Sequence, residues 1–320
     1  MAQVADKTQT ESSAQSDSRK PISILGVPLG YGASMAGVDM GPAALRVARL
    51  NQRINNLGYS VRDLGDLRLD RPHVIPEPQD KLKYVNEIRS ACEQLALNVE
   101  EIMEAGEFPI ILGGDHSIAI GSFAGMSAYY RKRNETLGLI WFDAHADMNT
   151  PETTPSGNIH GMPLAALLGY GVNELTHVLG FSPKIDPKHL VHVGARDIDP
   201  GERELIRKLG IRFLTMRDID ERGMTACIDE ALNIASRGSA GYSVTFDVDA
   251  LDPGDAPGSG TLVRGGLTYR EAHLAMEKIA EAGGMRSLEV VEINTALDVN
   301  NRTAELGVEL ILSALGKTIL

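Results

Sequence analysis

Eight short strand-like runs, most of them apolar and rich in Ile, Val and Leu, recur along the chain and constrain its fold more than any other feature. They lie at 22–27, 60–64, 109–112, 137–142, 190–193, 212–215, 242–246 and 287–291. Most are followed by a stretch of helical spacing, at 43–58, 82–104, 118–130, 200–209, 225–236, 269–282 and 302–315. Pro42 suits the first turn of the first helix, and Gly58 and Gly106 suit helix ends. Strands that are apolar throughout belong in a sheet covered on both faces, which is the setting of parallel strands. The pattern therefore predicts an α/β fold, a three-layer sandwich with a mostly parallel sheet of about eight strands. Eight β–α units also fit a closed barrel.

The 320 residues, 43% of them hydrophobic, suffice for one large sheet or two domains, and neither an internal repeat nor a clean boundary divides them. Residues 1–20 carry no hydrophobic core and several acidic groups, so they read as a disordered tail, not a secretory or transit signal. Residues 21–320 read as one domain. The formal net charge of −12 argues against nucleic acid and anionic membranes as partners. No apolar run approaches the roughly 18 residues of a membrane span. Cys92 and Cys227 lie far apart in helical stretches and read as buried, reduced thiols, which fits a cytoplasmic location. Without a secretion signal, the Asn134 and Asn301 sequons read as accidental.

The polar groups gather where the runs end. From residue 139 the sequence is LIWFDAHADMNTPETTPSGNIH, in which Asp143, His145 and Asp147 occupy alternate positions. In an extended backbone such residues point to one side. Alone, the triplet fits a solvated strand end as well as a metal site. However, Asp247 and Asp249 end the seventh run, Asp115 and His116 follow the third, Asp197 and Asp199 follow the fifth, and Glu292 ends the eighth. Parallel α/β folds bind ligands outside the carboxyl ends of their strands. Ionised groups are rarely buried unpaired, so a role in core stability does not explain the set. Four carboxylates and two imidazoles exceed the needs of one divalent ion. Shared by two, with Asp143 and Asp247 bridging, they form a binuclear site. Oxygen-rich ligands favour Mn²⁺ or Mg²⁺ over structural zinc, and such a pair can generate hydroxide near neutral pH.

GGDHSIAIG, WFDAHADMNT, SGNIHGMPLA, FDVDALDPGDAPGSGT and GGLTYREAH, in this order, resemble the ureohydrolase superfamily and, within it, the arginases, bacterial ones in particular. The resemblance covers about residues 21–320. It implies an α/β/α sandwich in place of the barrel, and hydrolysis of L-arginine to L-ornithine and urea by a hydroxide bridging two Mn²⁺ ions. One ion would be held by His116, Asp143, Asp147 and Asp247, the other by His145, Asp143, Asp247 and Asp249. His160 matches the proton-shuttling histidine, Asp147 a hydrogen-bond acceptor for the hydroxide, and Glu292 the carboxylate that holds the guanidinium. Asn149, Thr154, Ser156 and Asn158 match the loop that recognises the α-carboxylate. Asp199 and Glu202 match acidic groups near the α-amino group, with Asp197 beside them. The family forms homo-trimers or homo-hexamers, and the helix bearing Arg270 and Glu271 is the candidate contact.

Two departures, Leu262 after Gly260-Thr261 and Thr295 after Glu292-Ile293-Asn294, replace the family's usual prolines and leave the ligand positions intact. The chain ends at Leu320 without the longer tail of animal arginases, so their tail-mediated contacts are not assumed. Simpler roles remain open for several residues. Asp115 could orient backbone, His160 could cap a helix, Asp197 could pair with Arg196, and Glu202 could complement a helix dipole. Arg270 and Glu271 could be an exposed helical charge pair. His73, His177, His189, His192 and His273 read as structural. Rival functions are agmatinase or guanidinobutyrase, a catalytically silent homologue that binds arginine or ornithine, and a structural metalloprotein.

Overall fold

The computed structural model of the protein describes residues 20–72 and 74–319. The expected tail lies outside these apart from Lys20, as does His73. Among the described residues, the strands are β1 (Ile22–Val27), β2 (Val61–Asp66), β3 (Phe108–Gly113), β4 (Gly138–Phe142), β5 (Leu190–Val193), β6 (Arg212–Leu214), β7 (Tyr242–Asp247) and β8 (Met285–Val291). The helices are α1 (Gly41–Val47), α2 (Leu50–Asn56), α3 (Val85–Glu104), α4 (Ala119–Arg131), α5 (Pro163–Leu167), α6 (Asn173–Thr176), α7 (Pro200–Leu209), α8 (Met216–Ser236), α9 (Tyr269–Ala282) and α10 (Arg302–Ala314). All strand pairs are parallel, in the order β2-β1-β3-β8-β7-β4-β5-β6. β2 and β6 are free edges, so the sheet is open and the barrel is excluded.

Alternate strand residues enter opposite layers, as the two-residue period of a strand requires. Ile22, Ile24, Ile110, Leu112, Ile140 and Phe142 pack with α1, α2, α8, α9 and α10. Leu25, Val27 and Ile111 pack against α3 and α4, while Leu139 and Trp141 meet Phe123 of α4 and Leu164 of α5. Helix α4 is buried almost throughout. Gly121 and Gly125 let it lie directly on α3: a Cβ at Gly125 would sit 2.3 Å from the Ala96 carbonyl oxygen, and one at Gly121 would sit 2.7 Å from Cys92 Cα. This close approach holds the start of α4, and the His116 turn before it, against the sheet.

Two helices differ from the expected pattern. The stretch 43–58 is two helices, because Arg49 adopts a left-handed φ of 63° between α1 and α2. Helix α8 begins well before residue 225. Thr215 and Asp218 cap it reciprocally, and Gly223, at φ 78°, breaks the apolar period within it. Cys92 and Cys227 are buried free thiols. No helix among the described residues is long and apolar enough to cross a membrane.

Candidate metal and substrate site

The central strands β3, β8, β7 and β4 lie side by side, with β5 next, and the acidic and imidazole groups leave their carboxyl ends. Each of three strand-end aspartates folds the chain over its own side chain. Asp115 Oδ1 accepts the Ser117 N–H at 3.0 Å, Asp143 Oδ1 accepts the His145 N–H at 2.7 Å, and Asp247 Oδ1 accepts the Asp249 N–H at 2.7 Å. Such turns are a local preference of Asp. They consume one carboxylate oxygen and aim the other. Asp249 is fixed from across the site by the Ala144 N–H, 3.1 Å from its Oδ1.

The remaining atoms converge. His116 Nδ1 lies 3.0 Å from Asp143 Oδ2, 3.1 Å from Asp147 Oδ2 and 3.3 Å from Asp247 Oδ2. His145 Nδ1 lies 3.0 Å from Asp249 Oδ2 and 3.5 Å from Asp143 Oδ1. His116, Asp143 and Asp247 form one compact donor group, and Asp143, His145 and Asp249 form another. Asp143 belongs to both, whereas Asp247 is grouped with His116. His116 Nδ1 and Asp147 Oδ2 are buried without a hydrogen-bond partner. Buried polar atoms seldom stay orphaned, and a lone pair ringed by carboxylates fits a cation. The donor set suits two hard or borderline divalent ions. Without cations, burial and repulsion from Asp143 push the Asp147 carboxyl up to about 8, against the pull of His116. Asp147 is held at φ 54° and Glu292 at φ 64°, conformations that cost a non-glycine residue energy.

Beside the donor groups, Glu292 Oε1 accepts the His116 N–H at 2.9 Å and lies 2.9 Å from His160 Nδ1. Burial disfavours charge on His160, but the Glu292 carboxylate overrides it and holds the imidazole up at about 9. The His160 N–H donates to the Gly32 carbonyl, and Asp115 Oδ2 accepts the Gly32 N–H, which ties the Gly-rich loop after β1 over the site. Asp115 thus orients backbone.

A cavity of about 290 Å³ opens over these groups and is also lined by Asn149, Thr154, Ser156, Asn158, Asp197, Asp199 and Glu202. Asn149 donates to Asp199 Oδ2 at 2.9 Å. Thr154 Oγ1 accepts the Gly157 N–H, and Ser156 Oγ accepts the Asn158 N–H. Glu202 is only 3% exposed, and its carboxylate accepts the N–H groups of Asp199 and Met148 at 2.7 and 2.9 Å. Burial pushes its carboxyl up to about 7 against those bonds. It therefore caps α7 as well as facing the cavity. Asp197 is not occupied by Arg196, whose guanidinium donates to the carbonyls of Gly194, Asp249, Ala250, Leu251 and Val263. Arg270 lies 3.4 Å from Glu277, and Glu271 caps α9 through Thr268.

Three contributors were not singled out from the sequence. Thr261 Oγ1 donates to Asp249 Oδ2 at 3.0 Å, and Thr245 and Glu289 stand behind His116. The signal for the last two was a polar residue inside an otherwise apolar run.

The parallel sheet and the paired His/Asp donor groups at its carboxyl edge suggest a hydrolase with a two-ion metal site. The family model described as Arginase family matches residues 20–316. The arginase of Bacillus caldovelox is 48% identical over 302 residues, covering 94% of this chain and all of that protein. The arginase of Bacillus subtilis (strain 168) is 48% identical over 301 residues, covering 94% of this chain and 99% of that one. The native crystal structure of the Bacillus caldovelox arginase superposes with a TM-score of 0.91, over 94% of this chain and 100% of that one. The chain belongs to the arginase family, and arginase is the function this likeness supports.

The His160–Glu292 pair makes stability depend on pH. The folded value of His160 lies above the ordinary 6.5, so its contribution is complete below that pH and is lost as pH rises through about 9. In chelator-treated protein, the melting temperature of wild type should exceed that of His160→Gln near pH 6, and the gap should close above about pH 9. A gap that does not change with pH would rule out the charged pair.

Proposed function

We propose that the chain hydrolyses the guanidinium group of L-arginine to L-ornithine and urea with two Mn²⁺ ions. His116, Asp143, Asp147 and Asp247 would hold one ion, and His145, Asp143, Asp247 and Asp249 the other. The observation that carries this reading is the pair of donor groups joined at Asp143, beneath a cavity whose wall bears the His160–Glu292 pair. When bound, such ions lower the pKa of water and stabilise anionic charge.

The residues around them supply the rest. The water oxygen adds to the guanidinium carbon, the bond from that carbon to the side-chain nitrogen breaks, and the departing amine takes a proton. Asp147 accepts a hydrogen bond from the attacking water. Glu292 orients the cationic substrate by a charge-assisted hydrogen bond, and His160, half-buried and protonated beside it, donates to the leaving amine. Asn149, Thr154, Ser156 and Asn158 offer short polar groups to an α-carboxylate. Asp197, Asp199 and Glu202 offer negative charge to an α-ammonium. We also infer a homo-trimer or homo-hexamer with α9 as the candidate contact, and light scattering that gives only the 34.4 kDa monomer would refute it.

Metal removal is the first test of this reaction. Chelator-stripped protein should lose urea release and regain it with Mn²⁺, and Asp143→Ala should lose more activity than Asp147→Ala, because Asp143 faces both donor groups. Full activity in metal-free protein would end the two-ion reading.

Substrate choice separates arginase from agmatinase and guanidinobutyrase. Agmatine lacks the α-carboxylate, and a site built to hydrogen-bond a substrate group can reject an analogue lacking it by about 10⁴-fold. Water relieves some of that cost in an open cavity, so kcat/KM should favour L-arginine by at least roughly 10²-fold. Asp199→Ala should damage arginine turnover much more than agmatine turnover. Comparable kcat/KM for the two substrates in the unmutated protein would sink the arginine assignment and leave the wider hydrolase class standing.

A further inference from the structure

Behind His116, on the side away from the donor groups, a buried relay runs into the sheet. His116 Nε2 lies 3.0 Å from Thr245 Oγ1, and Thr245 Oγ1 lies 3.0 Å from Glu289 Oε1. All three side chains are essentially inaccessible: His116 is 1% exposed, Thr245 0% and Glu289 2%. Thr245 projects from β7 and Glu289 from β8, directly opposite each other in the sheet register. Glu289 thus interrupts an otherwise apolar strand end, LEVV, at a point where burial makes a carboxylate costly.

The direction of this relay decides which nitrogen of His116 is free. A threonine hydroxyl has one proton. If Thr245 donates it to a Glu289 carboxylate, its oxygen can only accept, and His116 must carry its proton on Nε2. Nδ1 is then a lone pair aimed among Asp143, Asp147 and Asp247. If the relay runs the other way, Thr245 donates to Nε2, and Nδ1 carries the proton where a metal ion has to bind. The ring itself is fixed by stacking on Trp141, centroids 4.2 Å apart, so the proton's position is the remaining variable.

We propose that Glu289 is a positioning residue that, through Thr245, fixes the His116 tautomer whose Nδ1 is free to bind a metal ion. The carboxylate accepts only, which imposes one direction on the relay. Partners on the far nitrogen of a metal-binding histidine govern affinity in this way, typically by 10–100-fold. The proposal rests on the two-ion reading of the cluster. It concerns the imidazole of one donor group: His145, in the other, lies beside Asp249 and the shared Asp143.

The test is calorimetric titration of chelator-stripped protein with Mn²⁺. Glu289→Gln keeps the shape but adds an amide donor that can reverse the relay. Mn²⁺ affinity at one site should fall by about 10- to 100-fold, with the other nearly unchanged. Thr245→Ser, which keeps the hydroxyl, should retain wild-type affinity. Thr245→Val, which deletes it, should match Glu289→Gln and serves as the test if that variant does not fold. Wild-type affinity at both sites in Glu289→Gln and Thr245→Val would overturn the proposal. So would equal losses at both sites with a lowered melting temperature, the mark of a packing role. A wild-type protein that binds fewer than two ions would instead fail the two-ion reading itself.

Discussion

Mutual repulsion among buried carboxylates is the constraint on which the rest of the structure depends. Asp143, Asp147, Asp247 and Asp249 are each 5% exposed or less and share two imidazoles between them. Two like charges 4 Å apart repel by about 4 kcal/mol at an effective dielectric near 20. The cluster is assembled because backbone amides hold it. The turn formed by an aspartate on the N–H two residues ahead occurs at Asp115, Asp143 and Asp247, at the ends of three different strands. In each case the turn stops the strand, orients the carboxylate and brings a further site residue round the corner: His116, His145 and Asp249. A single local preference of Asp therefore does the work of termination and of aiming.

Sheet order supplies the long-range half. Residues 116 and 292, 176 positions apart in the chain, share a hydrogen bond because β3 and β8 are neighbours. Likewise β7 lies between β8 and β4, which puts Asp247 within reach of both His116 and the β4 turn. The close packing of α3 on α4 through Gly121 and Gly125 keeps the first of these turns from drifting. Rigid strands and a tightly seated helix hold the donor groups, whereas the cavity wall comes from the loop 149–158, whose polar side chains largely bond one another and nearby backbone.

Much of this was legible in the sequence, for definite reasons. Apolar runs with no alternation identify covered parallel strands, and polar residues at their ends identify the crevice. The open sheet could not be told from a barrel by counting units, since both take eight. Only the pairing of β1 with β3 and of β8 with β7, and the lack of pairing between β2 and β6, decides it. The break at Arg49 was invisible because its left-handed backbone is imposed by the turn from α1 to α2, not by a glycine. Glu202 was read as either a helix-start charge or a substrate contact, and the structure gives it two backbone amides at the helix start and a place on the cavity wall. Thr245 and Glu289 escaped notice because a buried polar pair makes sense only once two strands are known to lie side by side.

The two donor groups differ in exposure, and that difference supports the proposed catalytic site over a structural metal site. The His116 side chain is 1% exposed and is backed by Trp141, Thr245 and Glu289, and with Asp147 and Asp247 it forms the deep floor of the cavity. The His145 side chain is 28% exposed and forms part of the cavity wall. A structural site closes its ion off on every side, whereas a catalytic one leaves a position open toward substrate. Here the open side faces the His160–Glu292 pair and the polar loop, the groups suited to a cation with a polar tail. The chain thus sets its least accessible imidazole deepest in the cavity and its more exposed one on the cavity wall, an arrangement that supports the proposed pair of ions with one side open to substrate.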